Sequence, residues 1–346
     1  MTEADNVIKL KLEKEKKRWN NIVGITNIAT NQEGTKRIPV WKKNKSVLWY
    51  YPSPCKKYNI PVFHVYSLVN QPYILDLTPG TSLVEGFISN GYDVYLLDWG
   101  SPQYEDKDLT LEDYIVDYLH QAVKRALRYS NVSEISMIGY CLGGTLSAIY
   151  ATIFQEPIRN LVLLTTPIDM SRPPVFDKWI QAIQKEELNL NPLIDIWGII
   201  PAEYIKYGIR LVTSPIYFSQ YFSLLRRAHE NQYVVRWKLF NKWTNDHIPF
   251  SGALLRNLLD LAAGNKLING DLQIKGKSVY LENITANLLV ISTGEDRLVP
   301  EELSQPIMDK VFVKDKTYKH LKGGHVSLAL KGRMPDVLQN WLSDRS

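Results

Sequence analysis

Short apolar runs alternate with amphipathic segments along most of the chain. The first two runs, SVLWYY and PVFHVYSLV, are rich in β-branched and aromatic residues, and the stretch YPSPCKKYNI between them contains turn-forming residues. The segment SLVEGFISNGY then has helical spacing and ends at Gly91, and the continuous apolar run DVYLLDW follows it. The pattern predicts two strands, a helix and a third strand.

The same alternation continues to about residue 170. Thr110 precedes apolar positions that recur every three or four residues, and Glu112 and Asp113 fall in the first turn, so a capped helix is predicted there. EISMIGY, LGGTLSAIYATIF and NLVLLTTPI follow as strand, helix and strand. Apolar and polar residues do not alternate within these strands, and helices separate them. We therefore predict a mostly parallel sheet with helices on both faces.

This rhythm is interrupted between residues 171 and 280. The stretch is helical and aromatic in character and contains Trp179, Trp197, Trp237 and Trp243, after which the strand pattern resumes with NLLVIST at 287–293. We interpret it as a helical cap inserted into one α/β unit that comprises residues 45–170 and 281–346. Residues 1–44 are predicted to be an N-terminal extension, in which residues 3–23 form a charged helix.

Composition narrows the function classes. The 346 residues carry 41 basic and 36 acidic side chains, a net charge of +5, without a basic tail or stripe, which argues against a nucleic-acid partner. The sequence contains no run of about 18 apolar residues, so no transmembrane helix is predicted. Only two cysteines are present and charges interrupt the N-terminal region, so a secreted disulfide framework is excluded and a reducing cytoplasm is expected.

The most informative motif is Gly139-Tyr140-Cys141-Leu142-Gly143, which lies where a predicted strand meets a predicted helix. It has the form of a nucleophile elbow with Cys in place of Ser. The glycines two residues before and after Cys141 allow the strand and helix to approach closely. The following helix N-terminus favours a thiolate, and the Leu142 N–H is placed to bind a developing oxyanion.

A nucleophile of this kind needs a base and an acid that orients the base, in the chain order nucleophile, acid, His. The strand NLLVIST is followed by Glu295 and Asp296, and either carboxylate fits the acid. His325 lies behind two glycines in LKGGHVSL and fits the base. The separations are 296 − 141 = 155 and 325 − 296 = 29 residues, and the inserted cap accounts for the longer one.

Simpler interpretations compete at each of these residues. Cys141 alone could be a buried structural cysteine, and only its strand-to-helix setting favours catalysis. Cys55 lies in a Pro- and Lys-rich turn and is interpreted as incidental. Packed or solvated roles are favoured for the remaining histidines: His64, His120, His229, His247 and His320. His and Cys are too few and scattered for a metal site, and Gly143-Gly144-Thr145 lacks the Lys of a phosphate loop.

The chain resembles the catalytic subunit of polyhydroxyalkanoate synthases, specifically the short classes III and IV, and most closely the Bacillus-type class IV. The matching segments run from about residue 40 to the end: WKKNKSVLWYY, VYSLVNQPYILDLTPGTSLVEGFISNGYDVYLLDWG, EISMIGYCLGGTLSAIYA, PIRNLVLLTTPID, IPFSGALLRNLLDLAAGNKLINGDLQIKGKSVYLENI and GGHVSL. LVNQPYILDL is especially specific, because esterases usually carry an HG motif in that place. The resemblance implies an α/β-hydrolase fold.

Carried over by position, the resemblance makes Cys141 the acyl-bearing nucleophile, His325 the general base and Asp296, rather than Glu295, the third catalytic residue. It also implies that the backbone N–H of Val69 or Asn70 is a second oxyanion donor beside that of Leu142. One departure is Arg297, since family members usually have His directly after the catalytic Asp. A fixed cation at that position would change the local electrostatics.

The resemblance further implies an acyltransferase that polymerises (R)-3-hydroxyacyl-CoA, with short chains such as 3-hydroxybutyryl expected, and releases CoA as a product. No resident cofactor or metal is expected. The implied partners are the growing polyester chain and a small accessory synthase subunit, with a homo-oligomer as an open alternative, and the implied location is the surface of cytoplasmic polyester granules. Two rivals are an esterase or depolymerase of the same fold and a non-catalytic granule protein.

Overall fold

The structure is a computed structural model that describes residues 3–27, 34–154, 158–171, 173 and 176–346. Twelve strands are present among these residues. They are β1 Ile38–Lys43, β2 Ser46–Tyr51, β3 Val62–Val65, β4 Val94–Asp98, β5 Ile135–Tyr140, β6 Ile158–Leu164, β7 Ile199–Ile200, β8 Phe250–Ser251, β9 Gln273–Ile274, β10 Lys277–Ser278, β11 Asn287–Thr293 and β12 Lys316–Leu321.

Fourteen α-helices accompany the strands in the described residues. They are α1 Glu3–Val23, α2 Leu83–Ser89, α3 Leu111–Asp113, α4 His120–Ser130, α5 Leu142–Ile153, α6 Asp177–Gln184, α7 Asn191–Trp197, α8 Ala202–Arg227, α9 Asn231–Trp243, α10 Gly252–Ala263, α11 Lys266–Asn269, α12 Glu301–Ser304, α13 Ile307–Lys310 and α14 Asp336–Ser343. A π-helical segment, Tyr114–Leu119, joins α3 to α4. None of the described helices is both long and apolar enough to cross a membrane.

Eight strands form one sheet in the order β1-β2-β4-β3-β5-β6-β11-β12. Pairing is parallel from β4 to β12, whereas β2 pairs antiparallel with both β1 and β4. The predicted mostly parallel sheet is therefore confirmed, and antiparallel pairing is confined to one edge, where β2 runs opposite to both of its neighbours. Since parallel strands end at the same edge, the loops after β3, β5 and β11 lie side by side there.

Successive residues of the central strands enter two separate apolar cores. In β5, Met137 packs into the core on one face of the sheet and Ile138 into the core on the other. Phe63 and Val62 divide in the same way on β3. A strand buried on both faces has no polar alternation, which explains the continuous apolar runs in the sequence.

The α/β unit begins earlier than the predicted boundary at residue 45. Strand β1, Ile38–Lys43, pairs with β2 as the outermost strand, so the predicted N-terminal extension of residues 1–44 contains part of the sheet. Pro39, Lys42 and Lys43 weaken the strand pattern in the sequence. Proline and lysine are tolerated here because an edge strand leaves one side of its backbone unpaired.

The predicted charged helix over residues 3–23 is present as α1, Glu3–Val23. Its C-terminal end is attached to the inserted region: the Asn21 side chain donates to the Ala228 carbonyl at 2.6 Å, and Ile22 packs against a small cluster that contains Leu224 and Val234. Helices α6 to α11 all fall between β6 and β11, where the sequence predicts the cap. The predicted site residues thus lie in loops that follow strands of the sheet, with Cys141 before the cap in the chain and Asp296 and His325 after it.

Candidate active site

Cys141 occupies the sharp turn between β5 and α5. Its backbone dihedrals are φ 53° and ψ −128°, a left-handed conformation that costs a non-glycine residue of order 1–3 kcal/mol. The turn is fixed on both sides, since the Cys141 N–H donates to the Leu164 carbonyl at 2.9 Å and the Cys141 carbonyl accepts from the Gly144 N–H at 2.8 Å. The strained turn holds the sulfur at the N-terminus of α5.

The glycines of the motif are required by close packing. A Cβ on Gly143 would clash with the Val65 carbonyl oxygen at the end of β3, and one on Gly139 would lie 2.7 Å from Ser147 Oγ. Real Cβ atoms almost never approach other atoms so closely. The predicted reason for Gly139 and Gly143, close approach of strand and helix, is what the backbone requires.

His325 and Asp296 meet above this turn. His325 Nδ1 donates to Asp296 Oδ2 at 2.7 Å, and the Asp296 side chain is fully buried while that of His325 is 16% exposed. The other carboxylate oxygen, Asp296 Oδ1, accepts the N–H groups of Leu298 and Val299, each at 2.9 Å. The Tyr140 hydroxyl donates to the His325 carbonyl at 2.6 Å, which fixes the loop that carries the imidazole.

The imidazole and the Cys141 side chain line the same cavity, and the two groups interact electrostatically. Burial by itself would lower the pKa of His325, but the charges of Asp296 and Cys141 and the hydrogen bond to Asp296 together raise that pKa well above its ordinary value. A more basic imidazole is a better acceptor of the thiol proton. Because Nδ1 is engaged by Asp296, Nε2 is the nitrogen available for this transfer.

The two residues that flank Asp296 are both exposed. Glu295 does not contact the imidazole, so of the two carboxylates that the sequence left open, Asp296 is the one that reaches His325. The Arg297 side chain forms no ion pair or hydrogen bond with any residue that the structure describes, and its guanidinium lies on a cavity wall. The Asp296 carboxylate is therefore held by His325 and two backbone N–H groups and not by Arg297.

The predicted oxyanion donors have different environments. Leu142 is the first residue of α5, and its N–H has no hydrogen-bond partner among the described residues, as a helix N-terminus leaves it. The Val69 N–H already donates to Ser67 Oγ at 3.2 Å. The Asn70 side chain is tied to the inserted region through a hydrogen bond to the Trp243 carbonyl at 3.1 Å, while its backbone N–H is without a described partner. Leu142 and Asn70 remain candidate donors, and Val69 is less available.

Tyr66 is a residue of this site that the sequence reasoning missed. It directly follows β3, and its carbonyl group packs against Gly143 of the nucleophile turn. The signal was available, because β3 and β5 are neighbouring parallel strands whose ends must meet. The resemblance pointed instead to Val69 and Asn70, three and four residues further along.

The other predicted non-participants form no hydrogen bond or ion pair with Cys141, Asp296 or His325 among the described residues. Cys55 is exposed. His64 is fully buried in β3, and burial lowers its pKa to about 3. His247 lies where the inserted region meets the Asn70 loop, and burial chiefly lowers its pKa to about 4. Within the described part of the chain, no group of three His, Cys, Asp or Glu residues is arranged to hold a metal ion.

A large apolar cavity opens over the site. Its volume is about 1010 Å³, and Cys141 and His325 line its floor. The inserted region supplies aromatic side chains to its walls: Trp179, Trp237, Phe240 and Trp243. Pockets of this size and composition suit bulky apolar ligands.

Comparison with known proteins agrees with this architecture. Residues 75–331 match the family described as the alpha/beta hydrolase fold. The crystal structure of a monoacylglycerol lipase from Paleococcus ferrophilus superposes with a TM-score of 0.55 at 17% sequence identity, covering 88% of this chain and 100% of the lipase. An identity this low concerns the fold alone. The α/β-hydrolase fold predicted from the sequence is confirmed.

Curated relatives are more specific. The poly(3-hydroxyalkanoate) polymerase subunit PhaC of Haloferax mediterranei is 33% identical over 89% of this chain and 63% of its own length. The PhaC subunit of Synechocystis is 30% identical over 94% of this chain and 89% of its own length. The chain belongs to the PhaC family. The resemblance inferred from the motifs is thereby confirmed at the level of the family, while the class III or IV and Bacillus-type assignments stay predictions.

Proposed function

We propose that this PhaC-family chain is the catalytic subunit of a poly(3-hydroxyalkanoate) synthase, an acyltransferase that polymerises (R)-3-hydroxyacyl-CoA and releases CoA. Membership of the family supports the reaction class. The observation that carries the mechanism is that the hydrogen-bonded pair His325 and Asp296 lies with Cys141 at the floor of an apolar cavity. Short acyl groups such as 3-hydroxybutyryl remain the expected substrates.

In the acylation step, His325 Nε2 takes the thiol proton as the Cys141 sulfur attacks the thioester carbonyl carbon. The carbonyl oxygen becomes an oxyanion, to which the Leu142 N–H is placed to donate. When the tetrahedral intermediate collapses, the carbon–sulfur bond to CoA breaks, and the CoA sulfur leaves with the proton from His325. The product is an acyl group on Cys141 and free CoA.

In the elongation step, a 3-hydroxyl group attacks the acyl group on Cys141. His325 accepts the hydroxyl proton, a carbon–oxygen ester bond forms, and the Cys141 sulfur leaves and recovers the proton. Asp296 holds the imidazole in the orientation that serves both steps, because the Leu298 and Val299 N–H groups fix the carboxylate. His325 thus serves as the base in both steps, first for the Cys141 thiol and then for the 3-hydroxyl group.

Cysteine suits this cycle better than serine. Exchange of one thioester for another is nearly neutral in free energy, and a thiolate leaves more readily than an alkoxide. The acyl group on Cys141 therefore stays reactive toward an alcohol, whereas Ser would hold it as a stable oxyester. This reasoning predicts that Cys141→Ser retains little turnover even though it keeps a nucleophilic atom.

Water competes with the 3-hydroxyl group as a nucleophile, so the site has to exclude bulk solvent. The aromatic residues of the inserted region wall the cavity and support a gating role for it. An acyl-CoA and a growing chain need this cap to open. Amide hydrogen exchange that is faster in the cap than in the sheet is expected, and equal protection with and without substrate would contradict the role.

The proposal also includes features expected from membership of the family: an accessory synthase subunit, a homo-oligomer and a location at cytoplasmic polyester granules. One rival activity uses the same residues: an esterase or depolymerase would transfer the acyl group from Cys141 to water. This rival activity is consistent with the α/β-hydrolase fold of the chain. The two activities differ in the group that accepts the acyl chain, which is water in the hydrolase and a 3-hydroxyl group in the synthase.

The test is incubation of purified protein with 3-hydroxybutyryl-CoA, with and without a candidate accessory subunit. The proposal predicts CoA release together with insoluble polyester. CoA release with only free 3-hydroxybutyrate would favour the hydrolase. Cys141→Ala is expected to abolish both products, and polymer formation at the wild-type level by that variant would reject the assignment and favour a non-catalytic role for the site.

A further inference from the structure

Tyr66 brings an unassigned polar group to the floor of the cavity. The residue directly follows β3, and its carbonyl group lies against Gly143, so its backbone is fixed beside the nucleophile turn. The Tyr66 carbonyl is also held from the other side by the Trp99 indole N–H at 2.9 Å. A backbone held in this way gives the side chain a defined direction.

The Tyr66 side chain is 3% exposed and lines the same cavity as Cys141. Its ring lies 5.7 Å from the ring of Tyr140, which in turn lies 6.1 Å from the imidazole of His325. Tyr66 and His325 thus both pack against Tyr140, the residue that directly precedes Cys141. The phenolic oxygen of Tyr66 has no hydrogen-bond partner among the residues that the structure describes.

The hydroxyl of Tyr66 is not one of the fully buried oxygens that lack a partner, whereas that of Tyr92 is, so the free side of the Tyr66 hydroxyl opens to the cavity. Tyr140 provides a contrast, since its hydroxyl is satisfied by the His325 carbonyl at 2.6 Å. An unpaired phenol that opens to a substrate cavity is free to hydrogen-bond a substrate atom in place of water. The atom needed is an acceptor, because the phenol remains protonated.

The protonated state follows from the surroundings. Burial, and to a smaller degree the neighbouring Tyr140 and Cys141, raise the pKa of Tyr66 well above its usual value. Tyr66 is therefore protonated, and able to donate a hydrogen bond, at neutral pH. Tyrosine hydroxyls are among the side-chain groups that stabilise oxyanions in acyl transfer.

We propose that the Tyr66 hydroxyl donates a hydrogen bond to the oxyanion that forms when the Cys141 sulfur attacks the thioester, acting beside the Leu142 N–H as a catalytic residue. This inference rests on the proposed function. The proton stays on Tyr66 throughout: the hydrogen bond strengthens as negative charge develops on the carbonyl oxygen and weakens when the carbon–sulfur bond to CoA breaks. The same contact serves the second tetrahedral intermediate, from which the Cys141 sulfur leaves.

The test compares Tyr66→Phe with Tyr92→Phe. Tyr92 is a buried tyrosine stacked on Tyr58 and lies outside the cavity lining, so its variant removes the same atom at a distance from the reaction. Tyr66→Phe is expected to lower kcat for CoA release roughly 10²-fold, as loss of one oxyanion donor does, with little change in KM. Tyr92→Phe is expected to keep the wild-type kcat.

Two further measurements separate catalysis from a structural role. Iodoacetamide should alkylate Cys141 in Tyr66→Phe at the wild-type rate, because that reaction forms no oxyanion. Inhibition by 3-hydroxybutyraldehyde, which adds to the Cys141 sulfur as a tetrahedral hemithioacetal, should weaken about as much as kcat falls. Unchanged turnover in Tyr66→Phe, or alkylation that falls in parallel with turnover, would overturn the proposal.

Failure of the proposed function is distinguishable from failure of this inference. If the wild-type protein releases no CoA from 3-hydroxybutyryl-CoA, the proposed function fails. The aldehyde comparison still tests Tyr66 in that case, because it needs only an attacking sulfur and an oxyanion. In that case aldehyde binding is measured as protection of Cys141 from iodoacetamide, and equal protection in the wild type and in Tyr66→Phe would reject the role of Tyr66.

Discussion

Replacement of Asp296 by Asn tests the arrangement of the imidazole. Asp296 Oδ1 accepts two backbone N–H groups and Oδ2 accepts His325 Nδ1–H at 2.7 Å. An Asn side chain has one acceptor and one donor, and the two N–H groups claim the acceptor. Its NH₂ group must then face His325 Nδ1, which forces the imidazole proton onto Nε2. That tautomer cannot accept a proton from Cys141.

The magnitude follows from that inverted tautomer. The same change in the Ser-His-Asp triad of serine proteases costs roughly 10⁴-fold in kcat. Because a thiol gives up its proton more readily than a serine hydroxyl, we expect a somewhat smaller loss here, about 10³-fold, equivalent to about 4 kcal/mol of transition-state stabilisation. The fold should survive, since an amide replaces a buried carboxylate of the same shape.

The assay is the initial rate of CoA release, measured as free thiol, for the wild type, Asp296→Asn and Glu295→Gln. Glu295 is the matched control, because it is the adjacent, exposed carboxylate and does not contact His325. It should keep the wild-type rate. A loss of less than about tenfold in Asp296→Asn, or an equal loss in Glu295→Gln, would refute the tautomer argument.

Asp296→Asn also changes the pH dependence of stability. The folded pKa of His325 is raised above the ordinary value of about 6.5, so the stabilisation from protonated His325 is complete below that value and is lost as pH rises through the raised pKa. Loss of the Asp296 charge removes one cause of the rise. The difference in unfolding free energy between the wild type and the variant should therefore be larger at pH 6 than at alkaline pH, as urea titrations would measure.

Four further substitutions test the fold and its stability. Gly143→Ala should abolish CoA release and lower the unfolding temperature, since its Cβ would clash with the Val65 carbonyl, whereas Gly208→Ala, in an open position on helix α8, should raise the unfolding free energy by up to about 1 kcal/mol. His64, whose pKa is about 3 when folded, should cost the wild type about 2 kcal/mol of stability between pH 7.5 and pH 5, and His64→Leu should lose that part of the acid sensitivity in urea titrations. Thr110→Ala should cost about 1 kcal/mol of unfolding free energy through loss of the helix cap.

The sequence was sufficient for those parts of the fold that local pattern determines. Strand β11 coincides with the predicted 287–293, helix α1 with the predicted 3–23, and Thr110 caps its helix as expected. These features depend on residues close together in the chain. Cys141 and His325 could be paired across their long separation because this fold places nucleophile, acid and His in a fixed chain order.

Features that depend on distant contacts were less accessible. Strand β1 was missed because its lysines and Pro39 are acceptable only once the strand is known to be outermost in the sheet. The Val69 N–H was predicted as an oxyanion donor, and its use by Ser67 Oγ is a loop contact that no spacing reveals. Likewise, the exposure of the Arg297 side chain is determined by the turn after β11 and does not follow from its position next to Asp296 in the sequence.

Intact-protein mass spectrometry during turnover of 3-hydroxybutyryl-CoA tests the central claim most directly. The account predicts an adduct of one or more 3-hydroxybutyryl units that maps to Cys141, disappears in Cys141→Ala and precedes insoluble polyester. Polyester formed without any adduct on Cys141, or an adduct that yields only free 3-hydroxybutyrate, would contradict it.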